Sequence, residues 1–384
     1  MSKKRIIIIR NAKKFDFGGG ERFPIFVADI LAGLDFDPII VSRSPKLLAF
    51  ASSRNIKTVH GWWWSRQNWS GKSALLFPIY IGWQLILTLW YLGLFLRKNP
   101  DVIHIQSKDD FIAATLAGRL SGKRVIWTAH ADLKHIWQNI GVWNKNPVGK
   151  LVYLAAKHAH AITVVSESER RLISDNLPLN SPVLQNLHVI YNGVIDLGSN
   201  YTAKSGGSEF TFCVASRLVT DKGIKEVIDA FTKLSKDRLD VKLLLLGDGP
   251  EAEKFKTYAK DNQKITFLGH QNNPFTYISN ADVFVHPTYH EGFSVALVEA
   301  SMLSRPIIAT SVGGNVEIIH DHKTGLLIPP KDVPALYAAM KLLYEDKELR
   351  QSIAKNARIQ YEKRFQFDQT VKEGFIPLYE GDPV

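Results

Sequence analysis

Short runs of aliphatic and β-branched residues alternate with stretches of helical periodicity from one end of the chain to the other. That is the pattern of βα units on parallel sheets. In the first half the runs fall at Arg5–Ile9, Pro38–Val41, Val102–Ile105, Arg124–Thr128, Ala161–Val165 and His188–Ile190. The second half repeats them at Phe210–Ala215, Val241–Leu246, Ile265–Leu268, Val283–His286 and Ile307–Ala309. The polar, Gly/Ser-rich stretch Gly198–Glu209 has no hydrophobic period and interrupts the alternation, so a domain boundary is expected near 196. Helical periodicity returns over Val333–Tyr344 and Leu349–Arg364, followed by a terminal segment to about Tyr379. The expected architecture is α/β, two Rossmann-like doubly wound parallel-sheet domains facing each other across a cleft.

In open parallel sheets ligands bind beyond the carboxyl ends of the strands, so the residues there carry the functional information. Gly18, Gly19 and Gly20 follow the first strand and precede a helix, where bare N–H groups can approach an anion. Arg217 and Lys222 sit in the loop after Phe210–Ala215, and two cations at a strand end suit a diphosphate. Gly247-Asp-Gly-Pro-Glu-Ala252 spells a dinucleotide fingerprint, but no acidic residue ends the following strand, and it reads as a βα turn.

The most informative segment is His286-Pro-Thr-Tyr-His-Glu-Gly-Phe-Ser-Val-Ala-Leu-Val-Glu-Ala300. Glu291 and Glu299 cannot share a face of one helix. Gly292 therefore places Glu291 at the end of a loop, with a helix starting near Ser294 and carrying Glu299. The free N–H groups of Phe293, Ser294 and Val295 then form an anion site. A carboxylate in the apolar run around Glu299 needs a partner, and a pair of sugar hydroxyls would serve.

The chain resembles the retaining glycosyltransferases of family 4 (glycosyl transferases group 1), which have the GT-B architecture. The resemblance runs in order through Gly-Gly-Gly-Glu-Arg (18–22), Thr-Ala-His-Ala-Asp (128–132), Val-Ser-Glu (165–167) and Val-Ile-Tyr-Asn-Gly-Val (189–194). It continues through Arg217 with Lys222-Gly223, Gly-Asp-Gly-Pro-Glu (247–251), Phe-Leu-Gly (267–269), the Glu291/Glu299 pair, Arg-Pro-Ile-Ile-Ala-Thr (305–310), Val-Gly-Gly (312–314) and Thr-Gly-Leu-Leu (324–327). It implies that residues 1–196 bind the acceptor. Residues 197–362 would bind the nucleotide-sugar donor, and 363–384 would cross back to the first domain.

By the same resemblance Arg217 and Lys222 hold the donor diphosphate, Glu299 the ribose hydroxyls and Glu291 the transferred sugar. Gly292, Phe293, Ser294 and Val295 line the donor. His130 lies against the sugar, Gly19 and Gly20 against the phosphates, and backbone near Leu268 and His270 reads the base. The sequence departs from the family at Ser304, where glycine is usual, and at Ile195, which displaces an aspartate. A same-fold sugar-nucleotide epimerase and a non-catalytic sugar-nucleotide or membrane-binding module are the alternatives. No cofactor and no metal are expected: Asp35-Phe-Asp37 has the letters of a metal pair but reads as a solvated turn before a strand.

Composition adds location and partners. At 384 residues the chain suits two cores, and with 45% hydrophobic and 22% charged residues it is an ordinary globular sequence. A single cysteine, Cys213, fits a reducing compartment. The start has only Ile6–Ile9 as an apolar run, too short for a secretory signal, so a cytoplasmic protein is expected. The net charge of +11 is uneven: residues 1–195 carry 25 basic and 12 acidic side chains, while residues 196–384 carry 23 and 25. All nine tryptophans lie in the basic half, from Trp62 to Trp143.

Without a nucleic-acid motif, that half points to an anionic membrane surface and not to nucleic acid. The stretch Ala74–Leu96 is apolar enough to span a bilayer. A span would split the first sheet across the membrane, so a buried helix or one lying in the membrane interface is expected instead.

Overall fold

A computed structural model describes residues 3–11, 19–62, 77–130, 133, 147–201 and 209–382. It divides into two compact units, 1–190 with 371–384, and 191–370.

The first unit is built on seven parallel strands, β1 (Lys4–Ile9), β2 (Phe36–Ser42), β3 (Lys57–His60), β4 (Val102–Ile105), β5 (Arg124–Ala129), β6 (Ala161–Val164) and β7 (Leu187–Val189). Their order across the sheet is β3-β2-β1-β4-β5-β6-β7. Central β1 is covered on both faces, which is why Ile6, Ile7, Ile8 and Ile9 form an unbroken apolar run. One sheet face presents Ile7, Ile9, Ile103, Ile105 and Trp127 to the helices Phe77–Lys98, Phe111–Leu120 and Pro147–Ala156.

The other face is partly polar: His104 and Thr128 lie on it, and the returning C-terminal segment covers them. Tyr379 Oη lies 2.8 Å from His104 Nδ1, and Thr128 Oγ1 lies 2.6 Å from His104 Nε2. Phe375 stacks on Tyr379 at 6.1 Å and lies 5.2 Å from the His104 ring. Burial pushes His104 down to about 3, so it is a neutral imidazole joining two hydroxyls.

The second unit has six parallel strands, β8 (Phe210–Ala215), β9 (Val241–Leu246), β10 (Ile265–Gly269), β11 (Val283–His286), β12 (Ile307–Thr310) and β13 (Leu326–Ile328), ordered β10-β9-β8-β11-β12-β13. Strands β3 and β13 are the two that the hydrophobic pattern does not announce. Both are edge strands, and Lys57–His60 has no fully buried residue, so no apolar run marks it.

The units divide earlier than the boundary expected at 196 because the connecting residues pair inside the second unit. Val194 N donates to Phe365 O at 2.9 Å, Tyr361 Oη donates to Val194 O at 2.9 Å, and Asp196 is ion-paired with Arg358 at 2.6 Å. Thr370 closes the same unit by donating to Tyr191 O at 3.1 Å. The chain returns to the first unit only from Val371.

One other expectation changes. Asp37 is not a solvated turn: it lies inside β2, half-buried, and accepts from Arg5 Nε at 2.9 Å and Lys57 Nζ at 2.7 Å. The strand pairing of β1 with β2 and of β2 with β3 brings these cations beside it. The stretch Ala74–Leu96 supplies the helix Phe77–Lys98, which is long and apolar enough to cross a membrane. One side of it is packed in the sheet core through Leu87, Tyr91, Leu94 and Phe95.

Candidate active site

In both sheets the strand order reverses beside the first strand of the unit, between β1 and β4 and between β8 and β11. Loops leaving adjacent strands in opposite directions open a crevice there. In the second unit that point is built by the segments after β8 and β11. Lys222, from the first, donates to Glu291 Oε2 of the second at 2.6 Å. His286, the last residue of β11, places Nε2 at 3.3 Å from the same Glu291 oxygen and 3.1 Å from Ser294 Oγ. Burial would raise the Glu291 carboxyl, but the His286 hydrogen bond and the Lys222 charge outweigh it and hold the group down at about 2. Glu291 is therefore a fixed anion between two donors.

Local sequence explains how these groups are held. Ser294 is the N-cap of the helix Val295–Met302, its hydroxyl accepting from Leu297 N at 3.3 Å. Thr288 Oγ1 donates to Asp221 O at 3.1 Å, and Tyr289 N donates to the same carbonyl at 2.8 Å, joining the two loops. Gly313 (φ +47°) and Gly247 (φ +129°) bring neighbouring loops into backbone contact. A Cβ at Gly313 would collide with Glu291 O, and one at Gly247 with Ser216 O.

Glu299 lies one helical turn beyond the cap, among Leu297, Val298, Ala300 and Ser301, all buried. Burial raises its carboxyl to about 7, and no protein hydrogen bond to that carboxyl is present among the described residues. Arg217 is exposed at the end of β8. Phe293 is buried against Tyr191 and Phe365, with ring centroids 5.6 and 5.8 Å away. Leu268 O already accepts from Gln271 Nε2 at 2.6 Å, and His270 is exposed just beyond β10.

In the first unit, Gly19 and Gly20 open the helix Gly19–Ala32, while Gly18 and Asp132 lie outside the described residues. His130, just past β5, has Nε2 at 3.4 Å from Gln106 Oε1 and packs edge-on to Phe23 at 5.4 Å. Desolvation lowers its pKa well below the ordinary histidine value, with Arg10 and His104 adding to the shift. Arg10 donates to Gln106 O at 2.5 Å, and Asn11 Nδ2 donates to Asp110 Oδ2 at 2.6 Å, so the ends of β1 and β4 are tied together. The polar residues collected here are Arg10, Asn11, Gln106 and His130.

The family model for Glycosyltransferase Family 4 matches residues 17–196, and that for Glycosyl transferases group 1 matches residues 202–360. Each unit thus answers to its own model, and the two follow each other across nearly the whole chain. The chain is a family 4 glycosyltransferase with the GT-B fold.

The transferase is 31% identical over 174 residues to the capsular polysaccharide biosynthesis glycosyltransferase CapM of Staphylococcus aureus, an alignment covering 44% of this chain and 46% of that protein. It is 26% identical over 294 residues to the N-acetyl-alpha-D-glucosaminyl L-malate synthase of Bacillus anthracis, covering 72% and 74%. The crystal structure of Anabaena HepE in complex with UDP-glucose superposes with a TM-score of 0.73 at 18% identity, covering 96% of this chain and 98% of that one.

In the transferase, Lys222, Glu291 and Ser294 are brought together, with Glu299 on the same helix as the Ser294 cap. His130, Gly19 and Gly20 belong to the other unit. The sequence reading missed His286, which links Glu291 to the helix cap. A histidine closing an otherwise apolar strand, five residues before the glutamate of a Glu-Gly pair, was the available signal. Ile195 is followed by Asp196, whose carboxylate pairs with Arg358 and accepts from Gly198 N at 2.9 Å. Ser304 is left-handed (φ +55°) after the helix Val295–Met302, the conformation for which glycine is suited.

Proposed function

We propose that the protein is a retaining, metal-independent hexosyltransferase. It takes a sugar from a UDP- or GDP-sugar and passes it to a lipid-linked or cell-surface glycan acceptor, working as a peripheral enzyme on the cytoplasmic face of the membrane. The observation that carries this reading is the Lys222–Glu291–His286 array at the switch point of the second sheet, next to a helix whose Glu299 carboxylate has no hydrogen-bond partner among the described residues.

A carboxylate desolvated to about 7 is costly unless something hydrogen-bonds to it. A ribose diol offers two donors to its two oxygens. The N-terminus of Val295–Met302 points N–H groups at an anion, and Arg217 and Lys222 add two positive charges. When the bond from the anomeric carbon to the diphosphate breaks, the bonding pair leaves with the diphosphate, and these cations neutralise the growing charge. Two side-chain cations and a helix terminus supply the role a divalent ion would otherwise fill. Glu291, ionised throughout the neutral range, would accept from hydroxyls of the transferred sugar, and by the family resemblance His130 would also contact that sugar. HepE was crystallised with UDP-glucose, which favours UDP in the donor position.

The test is turnover of purified protein with UDP- and GDP-sugars, with the anomeric configuration of the product read by NMR and the assay repeated in EDTA. Retention and indifference to EDTA are expected. An inverted product, or activity lost in EDTA and restored by Mg²⁺ or Mn²⁺, overturns the reading.

A further inference from the structure

The helix Phe77–Lys98 is amphipathic in the sense opposite to that of an ordinary surface helix. Its inward side buries Leu87, Leu94 and Phe95 but also Gln84 and Thr88, and Tyr91 Oη donates to Asp110 at 2.9 Å within the layer. Its outward stripe is Ile79, Gly82, Ile86, Leu89, Gly93 and Leu96, spaced by three and four residues in turn as one helix face requires. Ile79 and Leu89 are each 68% exposed and Leu96 65%. Helix Phe111–Leu120, which packs against it, adds exposed Leu116 and Leu120, and Pro147–Ala156 adds Leu154 on the far side of Phe111–Leu120. Trp62, also exposed, packs edge-on to Trp83 of the same long helix at 6.0 Å.

Charge decides what such a face can meet. The three helices contain Arg97, Lys98, Arg119 and Lys150 and not one Asp or Glu. Lys123 and Lys157 follow, and the acids that flank these helices are paired. Asp101, three residues after Lys98, accepts from Arg5 N at 2.7 Å, Asp109 pairs with Arg43 at 3.3 Å, and Asp110 accepts from Asn11 and Tyr91. Soluble surfaces intersperse both signs. The next helix in sequence, Glu167–Asp175, by contrast carries Glu167, Glu169 and Asp175. An apolar, acid-free face with cations at its helix ends is complementary to an anionic lipid surface, which takes the side chains into its headgroup–acyl boundary and the cations onto its phosphates. The inward side of Phe77–Lys98 stays in the sheet core, so this helix lies along the bilayer and does not cross it.

We propose that these three helices form the docking face for an anionic bilayer, with the outward stripe of Phe77–Lys98 as the inserted element. The proposal deepens the peripheral-membrane reading above and can fail without touching the transfer chemistry. Sedimentation of the full chain with vesicles of phosphatidylcholine alone, and of equal parts phosphatidylcholine and phosphatidylglycerol, tests it at low and high salt. Binding is expected only with phosphatidylglycerol, several-fold weaker at high salt and at least about tenfold weaker in Leu89→Glu/Leu96→Glu. Both positions are exposed, so the variant should fold, and its thermal shift with UDP should match the parent.

A second variant, Arg97→Glu/Lys98→Glu, should lose binding while keeping the apolar stripe. Four results would overturn the proposal. These are no binding under any condition, parental binding by both variants, a lipid-free dimer that Leu89→Glu/Leu96→Glu dissociates, or retention in the vesicle pellet through alkaline carbonate.

Discussion

At the scale of single residues, the two glutamates of the second unit are separated by their surroundings and not by their chemistry. Glu291 has two donors and is held at about 2, whereas Glu299 has none among the described residues and is raised to about 7. Glu299→Gln should therefore weaken UDP binding, and Glu291→Gln should leave that binding near normal while impairing transfer, as calorimetry and turnover would show. Equal loss of UDP affinity in both would contradict the division. The raised Glu299 value also fixes a pH dependence. Its proton comes off between about 6 and 8, so UDP affinity should rise across that interval and flatten in Glu299→Gln.

The stability effects have opposite signs. The folded state binds the Glu299 proton more tightly than the unfolded chain, so stability from that proton is complete below the ordinary value near 4.5 and lost as pH rises through about 7. Glu291 contributes stability above 4.5 that is lost as pH falls through about 2. For the diphosphate, Arg217→Ala and Lys222→Ala should each lower kcat by about 10² or more. Near-normal turnover in either folded variant would remove that residue from the mechanism.

At the scale of elements, the glycines of the second unit set how closely strand-end loops approach. Gly313→Ala would force the loop after β12 away from Glu291 O and strain a left-handed backbone, at a cost of about 1–3 kcal/mol. Its melting temperature should fall, as calorimetry would show. Ser304 is the converse case. It terminates the helix Val295–Met302 with φ +55°, and glycine would relieve that strain, so Ser304→Gly should raise Tm by an amount corresponding to about 1 kcal/mol. An unchanged or lower Tm would mean that side-chain contacts of Ser304 matter more than its backbone. The edge strands β3 and β13 escaped the hydrophobic pattern for two reasons. Lys57–His60, with one free edge, is half polar, so its neighbours hold it in place more than its own sequence does, whereas Leu326–Ile328 is apolar but only three residues long.

At the scale of the whole molecule, the chain's last residues complete the core of its first unit. Phe375, Leu378 and Tyr379 are buried there, and Tyr379 supplies the partner for His104 in the middle of β4. Truncation after Thr370 would expose those sites and leave a neutral buried histidine short of a hydrogen bond. The truncated protein should lose the cooperative unfolding of the first unit, seen as collapse of amide-exchange protection in β4 and β5. The milder Tyr379→Phe should cost about 1–3 kcal/mol by stranding the imidazole nitrogen. Full protection in the truncated chain would show that the segment is dispensable.

The sequence by itself determined the class and order of the elements, the family, and most charged residues of the candidate site. Buried parallel strands such as Ile6–Ile9 must be apolar throughout, and strand-end loops must carry the glycines and charges that their geometry and chemistry require. Local pattern is sufficient evidence for both. Only the tertiary structure decided that His286 and Lys222 share one Glu291 oxygen, that Asp37 is paired inside a strand, and that the chain changes units at 190 and 370. It also decided which side of Phe77–Lys98 faces out. The helix is apolar nearly all round, so its periodicity gives no direction, and the buried face follows from where Asp110 and the sheet core meet Tyr91, Leu94 and Phe95. These are contacts between residues far apart in sequence, and a spacing rule cannot carry them.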